Sequence, residues 1–171
     1  IFMQLYIMRH GEASMNAPSD VQRPLTELGY LEAGLMGKWF AHLSLNFAQI
    51  LVSPYLRAQQ TLSTVLSEMN INQTPPFVGM DNIETLDLII PSAQAKDVHD
   101  YLYGFLQEKQ CETLLMVTHM PLVSFLVESL TIKDQMPIFQ PAAVAEIDYD
   151  IETMTGTLVR LISPHDVMAI K

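Results

Sequence analysis

The sequence contains little cysteine and no long hydrophobic run. A single cysteine, Cys111, occurs in 171 residues, so an internal disulfide is excluded and a reducing, cytoplasmic location is expected. Since no basic residue is reserved for Cys111, we expect an incidental loop thiol and not a nucleophile. No apolar stretch reaches membrane-spanning length, and no signal-peptide pattern opens the chain.

Basic residues are also scarce. Nine lysines and arginines face 19 aspartates and glutamates, which gives a formal net charge of −10. This balance disfavours bulk binding to nucleic acid or to anionic membranes. An acidic surface that carries a small basic pocket would instead admit a phosphorylated protein or a small phosphate. Each arginine beside a predicted strand end is therefore informative.

The order of predicted elements indicates an α/β protein. Ile1 and Phe2 precede Met3, are expected to be additions to the native chain, and are left out, so that 3–171 is one domain. Helices are predicted after Thr26, after Ser53, from Ser92 to about Gln110, and from Pro121. The fold class is a three-layer sandwich, with a mostly parallel sheet, helices on both faces and an antiparallel C-terminal strand. The predicted strands are 3–8, 49–53, 77–80 (weak), 113–118, 142–149 and 157–162.

Helical periodicity also selects side chains for the core and for the surface. Leu31 and Leu43 fall on the apolar face of the first helix, and Phe125 on that of the fourth, so all three are predicted to be buried. The remaining histidines, set apart from predicted strand ends, are interpreted as surface residues; they are His42, His99 and His165.

Polar side chains follow the first predicted strand at the point where its apolar run stops. Arg9 and His10 stand side by side there, and Gly11 lets the backbone turn and bring its N–H group near them. An arginine fork, an imidazole and a backbone N–H group suit a phosphate. In open α/β sheets this strand end is also where ligands bind.

Two further strand-to-helix junctions carry the same kind of residue. Arg57 falls in the first turn of the second helix, where the helix dipole favours an acid, so this arginine calls for an anion. His119 ends the strand 113–118. Alone, His119 has a plain interpretation as a core or capping residue, and Arg57 as a surface ion-pair partner. Their coincidence at neighbouring strand ends favours a phosphate site.

One of the two histidines is expected to attack the phosphorus, because neutral imidazole is nucleophilic near neutral pH. Spacing does not decide which one attacks. We favour His10, since Arg9 and Gly11 would hold the phosphate against it. Neither a metal nor another cofactor is expected, because paired ligand spacing is missing and an arginine beside the imidazole repels cations.

These motifs resemble the histidine phosphatase (phosphoglycerate mutase-like) superfamily. The resemblance implies a phosphohistidine intermediate on His10, phosphate binding by Arg9, Arg57 and His119, and no metal. Asn16 falls where many members carry an asparagine, which makes it a candidate substrate-binding residue together with Gly11. The segments that carry the resemblance are Arg9-His10-Gly11-Glu12, 25–29, 53–61 and Val117-Thr118-His119.

The short length and the segments 23–26 and 119–123 are similar to the SixA-type phosphohistidine phosphatases of bacteria. This implies a phosphohistidine-bearing signalling or phosphotransfer protein as substrate, and we expect a monomer. Arg23 is a candidate cation at the pocket rim. Glu84 is the first candidate for a general acid, ahead of Asp81 and Asp87, although all three have an equally plain interpretation as solvated loop charges.

Two other functions stay open at this point. A general small-molecule phosphomonoesterase of the same superfamily would need a well-placed acid, because an alcohol leaves with more difficulty than an imidazole. A non-catalytic phosphate-binding module is the second alternative, and the intact His10 argues against it.

Overall fold

The computed structural model describes residues 2–77, 79–132 and 135–169. Six strands form one sheet: β1 (Phe2–Arg9), β2 (Gln49–Val52), β3 (Ile83–Thr85), β4 (Thr113–Thr118), β5 (Val144–Asp150) and β6 (Thr155–Ile162). Their order across the sheet is β3-β2-β4-β1-β5-β6. The first four strands in that order run parallel, and β5 is antiparallel to both β1 and β6. The predicted sheet, mostly parallel with antiparallel pairing near the C-terminus, is confirmed.

Helices cover both faces of the sheet, as predicted. They are α1 (Glu27–His42), α2 (Leu56–Glu68), α3 (Ala95–Lys109), α4 (Leu122–Leu130) and α5 (Pro164–Ala169). Side chains of β1 alternate between the two faces. Leu5 and Ile7 join the core formed with α3 and α4, and Tyr6 and Met8 join the core formed with α1 and α2. The short α5 was not predicted, and its Val167 packs on the second of these cores.

The register of the sheet aligns the ends of three strands. Arg9 lies opposite Thr118 in the β1–β4 pair, and Val52 lies opposite Val117 in the β2–β4 pair. The residues that follow β1, β2 and β4 therefore lie together at the C-terminal end of the parallel strands, as the sequence pattern predicted.

Several predicted element boundaries are wrong; β5 begins two residues later than expected, and β6 begins two residues earlier. Helix α2 begins at Leu56 with Tyr55 as its N-cap, two residues later than expected, although Ser53 Oγ accepts a hydrogen bond from Tyr55 N at 3.3 Å. Helix α3 begins at Ala95 and not after Ser92. The weak strand predicted at 77–80 lies partly outside the described residues. Among its described residues, Gly79 has φ +84°, which is not a strand conformation. The strand that pairs with β2 is instead Ile83–Thr85.

Three predicted core residues are exposed instead. Leu31 is 59% exposed, Leu43 40% and Phe125 44%. The buried stripe of α1 is narrower than the apolar pattern, and it contains Met36 and Phe40.

Two other interpretations of single residues, those of His99 and Phe2, also change, whereas that of Cys111 does not. His99 is half-buried: Nδ1 lies 2.9 Å from Ser129 Oγ, and Nε2 lies 3.3 Å from Tyr149 Oη. It therefore joins α3 to α4 and β5 and is not a plain surface residue, whereas His42 and His165 are exposed. Cys111 precedes β4 outside any strand but is buried, and burial raises the pKa of its thiol. Phe2, left out of the prediction, is the first residue of β1.

Within the described part of the chain, none of the helices has the length and apolar character needed to cross a membrane.

Candidate active site

A pocket of about 390 Å³ lies at the C-terminal ends of the parallel strands β1, β2 and β4. His10 follows β1, and its backbone N–H group donates to Thr118 O at 3.0 Å. Ser53 follows β2, and its N–H group donates to Val117 O at the same distance. The structure thus brings together the four residues that the sequence singled out. The pocket is lined by Arg9, His10, Gly11, Glu12, Ala13, Arg23, Arg57, His119, Met120 and Pro141.

The hydrogen bonds of His10 define which ring nitrogen is free to react. Nδ1 lies 2.7 Å from the carbonyl oxygen of Gly11, which can only accept, so Nδ1 carries the proton. Arg57 Nε, which can only donate, lies 3.2 Å from His10 Nε2. Nε2 therefore holds a lone pair. The side chain of His10 is a neutral imidazole with its unprotonated nitrogen directed at a guanidinium.

The surroundings of His10 keep it neutral. Burial lowers the pKa of His10 to about 4, and the positive charges of Arg57, Arg9 and Arg23 act in the same direction against the bond to Gly11 O. A buried imidazole among arginines gains little from accepting a proton. Near neutral pH Nε2 therefore carries no proton, and its lone pair accepts a hydrogen bond from Arg57 Nε.

His119 lies against His10, with 5.0 Å between the ring centroids, and is only 1% exposed. Burial, with the charges of neighbouring groups, lowers the pKa of His119 to about 2, so this ring is also neutral. Its Nε2 lies 2.7 Å from Ser53 Oγ, which already accepts from Tyr55 N. We assign the Ser53 hydroxyl as donor to Nε2, which places the His119 proton on Nδ1.

Two buried nitrogen atoms that belong to residues lining this pocket lack a protein partner. Among the residues that the structure describes, the buried side-chain nitrogen and oxygen atoms without a hydrogen bond are Arg9 Nε and His119 Nδ1. Buried donors are nearly always satisfied in folded proteins. Arg9 is fixed by a bond from Nη1 to Phe139 O at 2.8 Å, so its orientation is defined. Two unpaired donors, one on a guanidinium and one on a neutral imidazole, together with the charge of Arg57 suit an anionic ligand such as phosphate.

Arg57 is buried, with its side chain 5% exposed, and its guanidinium spans the pocket wall. Nε faces His10, whereas Nη1 donates to the backbone carbonyl of Asp20 at 2.6 Å and Nη2 approaches Asp20 Oδ2 at 3.3 Å. The guanidinium carbon also lies 5.0 Å from the centre of the Tyr55 ring. These contacts hold the charge of Arg57 in one position.

Arg23, predicted at the pocket rim, lines the pocket and holds the preceding loop. Its Nε donates to Ser14 O at 2.9 Å, and its Nη1 pairs with Asp20 Oδ1 at 3.2 Å. Contacts of Arg23 and Arg57 therefore hold the loop from Ala13 to Arg23, whose two ends line the pocket.

Gly11 has a structural role different from the one expected. Its N–H group donates to Thr61 Oγ1 at 3.1 Å and is not left free for a ligand. A Cβ atom at Gly11 would lie 2.6 Å from Gly29 O, and one at Gly29 would lie 2.1 Å from Glu12 O. Glycine is required at both positions because two backbone segments touch there. The prediction that the Gly11 N–H group faces the ligand is wrong.

Two other predicted residues do not reach the pocket. Asn16 is exposed in the loop, where its N–H group bonds to Ser14 Oγ at 3.1 Å, and it does not line the pocket. Glu84 lies on the edge strand β3, which β2 and β4 separate from β1, and its Oε1 is 3.5 Å from Tyr101 Oη. Asp81 and Asp87 are also exposed and absent from the pocket lining.

Sequence reasoning missed two residues of the site. Ser53 was interpreted only as a helix cap, although it follows β2 at the same edge as His10 and His119; the strand-end rule could have found it. Asp20 sits in an irregular loop, and no local signal indicates its contact with Arg57. Within the described ranges, no group of three or more histidine, cysteine, aspartate or glutamate side chains could hold a metal ion.

The fold and the site define an α/β protein with a histidine–arginine phosphate pocket, and comparisons with known proteins agree. The family model of the histidine phosphatase superfamily (branch 1) matches residues 5–81. The chain is 34% identical over 169 residues to phosphohistidine phosphatase SixA of Escherichia coli (strain K12), covering 99% of each chain. It is 38% identical over 153 residues to a phosphohistidine phosphatase SixA homolog of Haemophilus influenzae, covering 86% of this chain and 89% of that protein.

A solved structure supports the same relationship. The protein histidine phosphatase SixA complexed with tungstate superposes with a TM-score of 0.86 at 34% identity, over 96% of this chain and 99% of that chain. The chain therefore belongs to the histidine phosphatase superfamily. The resemblance inferred from the motifs and the phosphatase class are confirmed.

Proposed function

We propose that this protein is a phosphohistidine phosphatase that acts on a phosphorylated signalling or phosphotransfer protein through a phosphohistidine intermediate on His10. The observation that carries the proposal is the unprotonated Nε2 of His10, fixed by the bond from Nδ1 to Gly11 O and faced by Arg57. The sequence similarity to phosphohistidine phosphatase SixA and to a SixA homolog extends over most of the chain. This similarity supports the choice of phosphohistidine as substrate.

In the first step, His10 Nε2 attacks the phosphorus of the substrate. A new P–N bond forms, the bond to the substrate imidazole breaks, and its electron pair stays with that imidazole. Arg57 Nε–H, which faces Nε2 in the free protein, then donates to a phosphoryl oxygen instead. The unpaired Arg9 Nε and His119 Nδ1 are the other donors to the charge that develops on the phosphoryl group.

In the second step, water attacks the phosphorus and the P–Nε2 bond breaks, which returns the electron pair to His10. The proton from water passes to the phosphate oxygens, and inorganic phosphate leaves. Arg23 at the rim provides a further positive charge for the bound phosphoryl group. In this proposal Gly11 shapes the turn after His10, and Asn16 takes no part.

The surroundings of the pocket agree with a leaving group that needs little help. Glu84, Asp81 and Asp87 do not line the pocket, and the carboxylate of Glu12, which does, accepts a hydrogen bond from Thr26 Oγ1 at 2.7 Å. A phosphohistidine P–N bond breaks readily once the departing imidazole is protonated, whereas an alcohol would need a positioned acid. A pocket at the protein surface also gives access to a phosphohistidine that is attached to another protein.

Three further expectations belong to the same proposal. Residues 3–171 act as one domain, the protein is a monomer, and it works in the cytoplasm. The single cysteine is the observation behind the last of these.

The test compares turnover of a phosphohistidine-bearing protein domain with that of p-nitrophenyl phosphate, for wild type and His10→Ala. We expect much faster turnover of the phosphohistidine domain by wild type and none by His10→Ala. Faster hydrolysis of the ester would favour a general phosphomonoesterase. Binding of phosphate without turnover of either substrate would leave only a binding role.

A further inference from the structure

The reactive nitrogen of His10 lies below the protein surface. His10 is 8% exposed and His119 is 1% exposed, and both line the catalytic pocket. A phosphohistidine side chain must therefore enter the pocket before its phosphorus can reach Nε2. When that side chain belongs to a protein, the surface around it is brought against the residues that border the pocket. The chemistry of those bordering residues then decides which protein surfaces fit.

A groove of about 570 Å³ begins beside the pocket. Met120 lines the pocket, and the next residue, Pro121, lines the groove. Phe125, in the first turn of α4, lines the same groove and is 44% exposed; its N–H group donates to Pro121 O at 3.3 Å. The groove lies between α4 and the start of α3, where Ala93 and Ala95 also line it. An apolar path therefore leads from the catalytic pocket across the protein surface.

A second exposed apolar side chain, that of Ile138, lies close to both the pocket and α4. Ile138 is 76% exposed, and the chain on either side of it is fixed. On one side, Ser124 Oγ donates to Pro137 O at 2.6 Å. On the other side, Arg9 Nη1 donates to Phe139 O at 2.8 Å. These bonds hold Ile138 between the first turn of α4 and a pocket arginine, so little ordering is needed when a partner covers it.

The groove has no excess of either charge, although the chain as a whole carries a formal net charge of −10. The charged residues that line it are Lys96 and Glu128, one of each sign. A strongly charged partner surface therefore gains little from the groove. An apolar partner surface gains from the burial of Phe125 and Ile138. Aromatic residues are also enriched at the centres of protein interfaces.

We propose that Phe125, Ile138 and this groove form a docking face for the phosphohistidine-bearing protein, which presents apolar side chains beside its phosphohistidine. The inference rests on the proposed function and adds the surface that recognises the partner. Contacts on the docking face hold the phosphorylated imidazole at the pocket, close to His10. Free phosphohistidine makes none of these contacts, so the docking face favours the protein-bound form.

Phe125→Ser and Ile138→Ser test the docking face, because neither side chain lines the catalytic pocket. The two substrates are a histidine phosphotransfer domain phosphorylated on its histidine, and free phosphohistidine. In each variant we expect kcat/KM for the domain to fall about tenfold, mainly through a higher KM. The value for free phosphohistidine should stay at the wild-type level, which also shows that the variants fold.

Ile132→Ser provides the matched control for Ile138→Ser. Ile132 is 67% exposed and follows α4 at the end away from the pocket, where its N–H group donates to Gly156 O at 3.1 Å. Gly156 pairs with Tyr149, which pairs with Met3 near the start of β1. The control therefore removes the same side chain at the opposite end of the sheet, and it should change neither value.

Three results would overturn the inference. They are an unchanged value for the phosphorylated domain in both docking-face variants, a parallel fall for both substrates, and an equal fall for the domain in Ile132→Ser. Failure of wild type to turn over either phosphohistidine substrate would instead refute the proposed function.

Discussion

Substitution of Ser53 perturbs the hydrogen bonding of His119 while both catalytic histidines stay in the sequence. Ser53 is fully buried, and its Oγ lies 2.7 Å from His119 Nε2. Ser53→Ala removes the donor and leaves Nε2 buried without a partner. Leaving a buried polar atom unsatisfied costs about 1–3 kcal/mol, so we expect the free energy of unfolding to drop by that amount.

The same substitution should affect the reaction through the tautomer of His119. Without the Ser53 hydroxyl, nothing confines the proton to Nδ1, and the donor expected to face the phosphoryl group is lost in part of the molecules. Removing one donor to a transition-state oxygen costs about 10²–10³ in rate, and a weakened donor costs less. We expect kcat/KM to fall about ten- to a hundredfold. The assays are urea denaturation, steady-state kinetics and ¹⁵N NMR of the His119 ring.

Thr131→Val is a suitable control, because Thr131 is buried and its Oγ1 donates to Val127 O at 2.7 Å, at the end of α4. It should lose a similar amount of stability and keep its activity. If Ser53→Ala loses stability but retains wild-type kcat/KM, or if the His119 tautomer is unchanged, the assigned role of the Ser53 hydroxyl is wrong.

Three other predictions concern residues in or near the pocket at the C-terminal ends of the parallel strands. In Arg57→Gln, NMR titration should find the pKa of His10 above its wild-type value of about 4 but below 6.5, because burial, the largest cause, remains; an unchanged pKa contradicts this. Urea denaturation of wild type should give a free energy of unfolding that decreases as pH falls from 6.5 toward 4, since the unfolded His10 and His119 take up protons that the folded ones refuse; His10→Gln should make this slope shallower, and an unchanged slope would contradict the assignment. Gly29→Ala, whose Cβ would lie 2.1 Å from Glu12 O, should lower the free energy of unfolding by about 1–3 kcal/mol. The control Gly104→Ala, which has open space within α3, should raise it by about 0.5–1 kcal/mol. Equal effects of the two substitutions in denaturation would refute the close-contact explanation.

The convergence of His10, Arg57 and His119 could be predicted because a local pattern and a general rule suffice for it. Each residue directly follows a strand or opens the helix after one, and parallel strands place their carboxyl ends at one edge. The prediction therefore required only that the strands be identified correctly. The continuous apolar run of β4 and the short apolar run of β1 were sufficient to identify these two strands.

Other features depend on contacts between distant segments, which no local pattern reports. Glu84 failed as a pocket residue because its strand pairs at the edge of the sheet, and strand order is set by the whole fold. The need for glycine at Gly11 arises from contact with Gly29, which lies 18 residues away. The contact of Asp20 with Arg57 depends on how an irregular loop folds against α2. Phe125 was expected in the core because periodicity gives the apolar face of a helix but not how much of that face is covered.

The measurement that tests the central claim most directly is rapid-quench trapping of the enzyme during turnover of a phosphohistidine-bearing protein domain. The phosphoryl group should appear transiently on the enzyme, be labile to acid and stable to base, and map to His10 Nε2 by mass spectrometry and ³¹P NMR. Nε2 is expected because Nδ1 is occupied by its bond to Gly11 O. A phosphoryl group on His119, or release of phosphate at the full rate with no phosphorylated enzyme, would contradict the mechanism.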